Sequence, residues 1–386
     1  MKFLIISDLH ACPKSSEQEH SRLVFDGVEN EFGTRFIEYC KSINLYPDFL
    51  VCPGDISNHG CADSFKNGWG FLKEVQSQLE INGLLCVPGN HDLQSRPGIE
   101  ISPLHQVKFC APPFPSNEYE FNTHFWAWGW GHISYDNFNC IFLNSSAYHG
   151  FNDEFKHGRV AQETVSQIVD YIKSDKFEEK AFNILLCHHH PVKREEVDYG
   201  SDFEVMDGGQ LLISSIEQAT SSPWLIIHGH KHFASLFSAS SAGYNPPLIF
   251  SAGSFSARLY PEISERTTNQ FYVLDINLEK TSEDERLIGT FEAHSWDIKN
   301  NWHPSKSKNL PHKGGFGSDV RPKEVIEKLN TLLEGTTYLN SDDLIEVNDV
   351  LQHLTPTQYD QLIIKLNNEF EVELSDNLLF EVSKNA

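Results

Sequence analysis

Five short apolar runs in this chain each stop at a residue able to bind a metal ion. Residues 3–7 lead into Asp8-Leu9-His10, and residues 49–53 into Gly54-Asp55. Residues 84–88 lead into Gly89-Asn90-His91-Asp92, and residues 184–187 into His188-His189-His190-Pro191. Residues 224–228 continue as Gly229-His230-Lys231-His232. Short apolar runs bounded by Gly, Pro or polar residues read as buried strands. Ligands and catalytic groups in open α/β sheets gather outside the carboxyl ends of strands. A fold that aligns these five ends therefore collects carboxylate, amide and imidazole ligands in one place. Any one of these polar residues is an ordinary turn residue or a satisfied buried group; their recurrence in order argues for a single site.

The intervening sequence sets the class. Residues 35–41, 69–80 and 162–174 read as helices, so strands alternate with helices early in the chain, as in βαβ units. Residues 125–145 form two strand-like runs around Tyr135-Asp136-Asn137, a hairpin pattern, and residues 248–275 give another pair of β runs. The expected fold is α/β, a two-sheet β-sandwich flanked by helices, with a small C-terminal helical domain. Trp126, Trp128 and Trp130 alternate and are expected to share one face of a strand, in packing rather than base stacking.

Composition shifts near residue 300. Residues 300–317 are rich in Lys, Pro, Ser and Gly, and beyond Arg321 there is no Cys or Trp. The expected division is a large domain over 1–299, a linker over 300–320 and a small acidic helical domain over 321–386. Pro322 opens one helix, and Ser341-Asp342-Asp343 and Thr355-Pro356-Thr357 supply N-caps for two more. Residues 344–354 and 359–370 have apolar residues at three-and-four spacing, which needs a partner surface. That surface is the chain itself, a second copy or a protein partner.

The 386 residues contain no apolar run of about 18, so no membrane span is expected. The apolar start is too short for a signal-peptide core. Eight scattered cysteines without a Cys-x-x-Cys pair point to free thiols and a cytoplasmic setting. A formal charge of −24 argues against a broad basic surface for nucleic acid, and residues 299–313 hold the main basic run.

The order Asp-x-His, Gly-Asp, Gly-Asn-His-Asp, His-His, Gly-His-x-His resembles that of the calcineurin-like metallophosphoesterase superfamily over roughly residues 1–275. The resemblance implies a two-metal centre. Asp8, His10 and His232 would hold one ion; Asn90, His188 and His230 would hold the other; Asp55 would bridge them. In the fourth block His188 is preferred as the first residue to leave its strand, with His189 as the alternative and His190 structural. Within the superfamily, His-His-His-Pro with Gly-Asn-His-Asp is most similar to the cyclic-nucleotide phosphodiesterase branch, as is His157-Gly158 before a helix.

These residue types suit phosphoester chemistry. Two divalent ions neutralise phosphoryl oxygens and lower the pKa of a bridging water toward neutrality, making a hydroxide nucleophile. Mixed His, Asp and Asn ligands favour Mn, Fe, Zn or Ni over Mg or Ca. His91 is expected to stabilise the transition state and protonate the leaving oxygen, with Asp92 orienting its ring. Asn58, His59 and Ser254 are expected near substrate, and Arg258 either neutralises phosphate or makes a surface ion pair. The expected activity is a metal-dependent phosphodiesterase on nucleotides or other small phosphoesters. The alternatives are a DNA or RNA nuclease and a non-catalytic scaffold; the last is disfavoured because every ligand position is filled.

Overall fold

Strand and helix alternate from the first residues of the computed structural model, which describes residues 1–17, 20–25, 31–95, 101–150, 154, 157–194, 202–239, 245–307, 309–375 and 377–384. Strand β1 (Lys2–Ile5) is followed by the short strands β2 (Cys12–Pro13) and β3 (Val24–Phe25), then α1 (Glu31–Ser42), β4 (Phe49–Cys52), α2 (Ala62–Gln78) and β5 (Gly83–Cys86). Next come α3 (His105–Lys108), α4 (Tyr119–Trp128), β6 (Trp130–Ser134), β7 (Phe138–Leu143), α5 (Gln162–Ile172), β8 (Phe182–Leu186), α6 (Gly209–Glu217) and β9 (Trp224–His228). The main body closes with β10 (Ser235–Ser238), β11 (Leu248–Ser251), α7 (Pro261–Ser264), β12 (Gln270–Ile276), α8 (Leu278–Glu283), β13 (Gly289–Asp297), β14 (Asn301–Pro304) and β15 (Lys313–Phe316). Each of the five apolar runs that stop at a metal-capable residue contains a strand.

Apart from β2 and β3, which pair with each other, these strands form two stacked sheets. One has the order β14-β13-β12-β1-β4-β5, with β15 also on β13; the other has the order β10-β11-β9-β8-β7-β6. Strands β1, β4 and β5 run parallel, as do β7, β8, β9 and β11, so their carboxyl ends align within each sheet. The period-two alternation of a strand splits its side chains between layers. Phe3 and Ile5 enter the core between the sheets with Phe138, Phe182 and Phe250. Leu4 and Ile6 face Phe36, Trp69 and Leu72 of α1 and α2. On the far side, Ile141, Leu185 and Ile226 pack against Ile168 of α5 and Leu212 of α6. Fully burying one such Phe or Ile stabilises the fold by about 1.5–3 kcal/mol. All eight cysteines are free thiols. Among the described residues no helix is long and apolar enough to cross a membrane.

Four local expectations are corrected. Trp126 and Trp128 lie on α4 and only Trp130 on a strand. Phe121 and Phe125 bury one helical face, and Gly129, at φ +75°, stops the helix, so helical spacing overrides the alternation. The hairpin itself is present as β6 and β7.

The stretch 300–320 is not a linker, since β14 and β15 both pair with β13. Trp302 is buried with Phe32 and Phe36, and Leu310 and Phe316 join the core between the sheets. A few large side chains gave this polar stretch a tertiary anchor that its composition hid.

The C-terminal segment is mixed rather than helical. It runs α9 (Pro322–Leu332), β16 (Tyr338–Leu339), α10 (Ile345–Leu351), α11 (Pro356–Glu369), β17 (Phe370–Ser375) and β18 (Leu378–Lys384), with sheet order β16-β18-β17. It has its own core, in which Phe370, Leu379 and Val382 from the strands meet Leu329, Leu351 and Leu366 from the helices. Pro322 sits in the first turn of α9 and Thr355 caps α11 through Gln358 N. Ser341-Asp342-Asp343 does not cap α10; it belongs to a turn in which Asn340 Oδ1 accepts from Asp342 N at 2.8 Å.

Candidate metal centre

The chain leaving β1 runs alongside the chain leaving β4. Asp8 N donates to Gly54 O at 3.1 Å, His10 N to Asp55 O at 2.9 Å and Ala11 N to Ile56 O at 2.9 Å. Asp8, His10 and Asp55 have φ of 51°, 48° and 52°, and His230 and His232 follow at 75° and 53°. The left-handed region is unfavourable for these residues, and such outliers persist only where the surroundings hold them. Asp8 and His10 therefore converge through a left-handed turn, not by strand alternation. The chains can approach because Gly54 and Gly89 lack side chains: a Cβ on Gly54 would lie 2.7 Å from Gly89 N, and one on Gly89 would run into Asp55 Oδ1.

Two clusters of donor atoms result. In the first, His232 Nε2 lies 3.3 Å from Asp8 Oδ1 and 3.1 Å from His10 Nε2, and His10 Nε2 lies 3.4 Å from Asp55 Oδ2. The ligand atoms of Asp8, His10, Asp55 and His232 all fall within 4.8 Å of one another. In the second, His188 Nε2 lies 3.3 Å from Asp55 Oδ2 and 3.0 Å from Asn90 Oδ1, which is 3.2 Å from His230 Nδ1. Asp55 Oδ2 thus sits between the clusters.

Neighbouring groups aim the imidazoles. His188 Nδ1 donates to Pro53 O at 2.9 Å, which turns Nε2 toward Asp55 and Asn90. Glu204 Oε2 lies 3.5 Å from His230 Nε2, leaving Nδ1 toward Asn90, and the same carboxylate oxygen accepts from Lys231 Nζ at 2.7 Å. His189 and His188 are both buried, and His189 Nδ1 meets Ser145 Oγ at 2.8 Å. The atoms of His188, His189 and His230 also fall within 4.8 Å, so the fourth block keeps both candidates. Gly158 lies against the His189 ring, where a side chain has no room. His190 is held by the Asp202 carboxylate at 2.9 Å.

Electrostatics favours a cation here. Burial would raise the Asp8 carboxyl, but His232 outweighs it and holds the group at about 2. Asp55 is likewise buried and is pulled well below the usual carboxylate range by His188, His91 and His10. Burial pushes His10 and His230 down to about 4, so both are neutral, ligand-ready imidazoles near pH 7. His10 Nε2 and His232 Nε2 face each other across 3.1 Å, and His232 Nδ1 and His189 Nε2 are buried without a hydrogen-bond partner. Carboxylates, an amide oxygen and inward lone pairs around one space form a donor set that fits two divalent ions.

Around this centre three expectations change. His91 Nδ1 meets Asn58 Oδ1 at 3.0 Å, so Asn58 orients the His91 ring. Asp92 instead clamps the loop: it accepts from Ser57 N at 2.7 Å and from Gly89 N at 2.9 Å, and burial followed by the charge of Asp55 raises it to about 7. Ser254 is fully buried behind the centre, donating to Asp8 O at 2.7 Å and accepting from Ala257 N. His59 is exposed at the rim, its ring 5.5 Å from that of His91. Arg258 pairs with Glu17. Glu204 escaped the sequence reading because it ends no strand and belongs to no motif.

The calcineurin-like phosphoesterase family matches residues 1–234, most of the chain. The chain belongs to that family. Solved structures to which the chain is similar include the purple acid phosphatase of yellow lupin (Lupinus luteus) seeds, at 14% identity and a TM-score of 0.43 over 76% of this chain and 51% of that one. The chain therefore spans about half the length of the lupin protein. A dimetal phosphatase from Danio rerio is similar at 13% identity and a TM-score of 0.41, covering 71% of this chain and 92% of that one. A calcineurin-like phosphoesterase from Bacillus subtilis is similar at 13% identity and 0.37, covering 80% and 89%. No curated protein matches.

Proposed function

We propose that this chain is a phosphoester hydrolase with a dinuclear metal centre, acting on phosphodiesters of nucleotides or other small molecules. The observation that carries the reading is Asp55 Oδ2, 3.4 Å from His10 Nε2 and 3.3 Å from His188 Nε2, shared by two ligand clusters. Asp8, His10 and His232 would hold one ion, Asn90, His188 and His230 the other, and Asp55 both. Bound divalent ions (Mn, Fe, Zn or Ni) supply charge neutralisation on the phosphoryl group and an activated water. The chain's own residues do the rest. Asn58 Oδ1 accepts from His91 Nδ1, so only the imidazolium form of His91 carries a proton on Nε2, and that proton would pass to the leaving oxygen, leaving a neutral ring. Asp92 and the two glycines keep the Asn90–His91 turn against Asp55.

The motif pattern makes cyclic nucleotides the first natural substrates to try, and free cysteines fit a reducing compartment. In this reading the catalytic unit runs through Phe316. The test is hydrolysis of bis(p-nitrophenyl) phosphate beside p-nitrophenyl phosphate by metal-stripped protein reloaded with Mn, Zn, Ni or Mg. Diester turnover that needs metal, Asp55 and Asn90 is the expected result. Monoester preference would make the protein a phosphatase, and silence with both ions bound would favour the scaffold.

A further inference from the structure

Beyond β8 the chain bends at His188 and again at His189, so these consecutive side chains escape the alternation of a strand. Both are fully buried. The histidines already assigned in pairs to a common ion set a scale for their spacing. Ring centres lie 5.0 Å apart for His10 and His232 and 5.2 Å apart for His188 and His230. The His189 ring is 4.9 Å from that of His188 and 4.5 Å from that of His230. One ring nitrogen from each of His188, His189 and His230 falls within 4.8 Å of the other two. By spacing, His189 stands among these imidazoles as ligands of one ion stand to each other.

Its hydrogen bonds agree. Ser145 Oγ accepts from His189 N at 3.1 Å, and its second lone pair takes Nδ1–H at 2.8 Å. That leaves Nε2 of His189 unprotonated, as the bond to Pro53 O leaves Nε2 of His188. Nε2 of His189 is buried and has no hydrogen-bond partner among the described residues. A buried polar atom without a partner is costly, and binding an ion removes the cost. The ring has no freedom to turn away. A Cβ on Gly158 would lie 2.5 Å from His189 Cβ and Cγ, so the backbone of Gly158 closes against it. That backbone is itself held, since Asp207 N donates to Gly158 O and Arg159 N to Ser145 O, both at 2.9 Å.

We infer that His189 Nε2 is a further ligand of the second ion, which is then held by three imidazoles, the Asn90 amide and the Asp55 carboxylate. The inference rests on the dinuclear reading and adds a donor to the set that the sequence order implies. The first ion keeps two imidazoles and two carboxylates, so the two positions differ in chemistry. Imidazoles suit Zn and Ni and carboxylates suit Mn, so the second position should take Zn or Ni before the first does. The test is proton NMR of the cobalt-loaded protein. Each coordinated imidazole with a proton on its other nitrogen gives one strongly shifted N–H signal that is lost in heavy water. Signals from His10, His188, His189, His230 and His232 are expected, and His189→Gln should remove one. The same variant should weaken zinc at the second position by more than about 10-fold in a chelator titration, since even an outer hydrogen-bond partner is worth that much. Gly158→Ala, which displaces the ring but removes no donor atom, should weaken the same position. Two bound ions with one imidazole signal fewer, or a His189→Gln spectrum and affinity unchanged, overturn the inference and leave the dinuclear reading intact. One bound ion whose signals include His189 would keep the ligand and reject the dinuclear reading, and binding of no ion rejects both.

Discussion

At the residue scale, the centre is built from conformations that L-residues avoid. Asp8, His10, Asp55, His230 and His232 all have positive φ. Each costs about 1–3 kcal/mol, offset by the packing and hydrogen bonds that hold the turns. Such strain accompanies function where side chains must converge faster than a strand permits. His91 lies among these side chains with its ring fixed by Asn58. His91→Ala should lower diester turnover by about 10²–10⁴-fold while metal analysis still finds both ions; loss of an ion would make His91 a ligand. Glu204 acts one step further out, through His230. Glu204→Ala should weaken metal affinity about 10–100-fold in a chelator titration, with Glu204→Gln recovering part of it. Unchanged affinity would reduce the contact to a surface ion pair.

At the scale of elements, parallel strands in each sheet place their carboxyl ends along one edge, and the ligand turns follow from that alignment. The strands were legible because runs such as residues 184–187 and 224–227 are apolar without interruption. Strands β14 and β15 were not, because their stability comes from pairing with β13 and from single anchors such as Trp302. The β13–β15 pair also carries a pH dependence. The His294 imidazole, its Nε2 3.6 Å from the carboxylate, is opposed by partial burial and supported by Lys313, and together they lower the Glu292 carboxyl from 4.5 to about 2. The folded value is below the unfolded one, so this contribution is complete above about 4.5 and is lost as pH falls toward 2. Glu292→Gln should flatten the fall in urea midpoint across that window; an unchanged acid limb would assign it to other carboxylates.

For the whole molecule, the C-terminal unit has a core distinct from those of the two sheets. It touches the main body through Gly315 N to Leu354 O at 3.1 Å, Ser318 N to His353 O at 3.0 Å and the Lys280–Asp349 ion pair. None of these residues belongs to the metal centre. A chain ending at Val320 should therefore keep its metal content and diester kcat/KM within about twofold, since sites without shared partners behave independently. A large loss would show that the unit caps the site or assembles it in a dimer, which light scattering would separate. The metal-capable residues and their order were readable from sequence, because metal chemistry restricts residue type and strand ends restrict position. Left to tertiary structure were which imidazole nitrogen faces inward, that Asn58 rather than Asp92 orients His91, that Ser254 is buried, and that Glu204 stands beside the centre. Those depend on which distant backbones meet, and local sequence carries no information about that meeting until the sheets have formed.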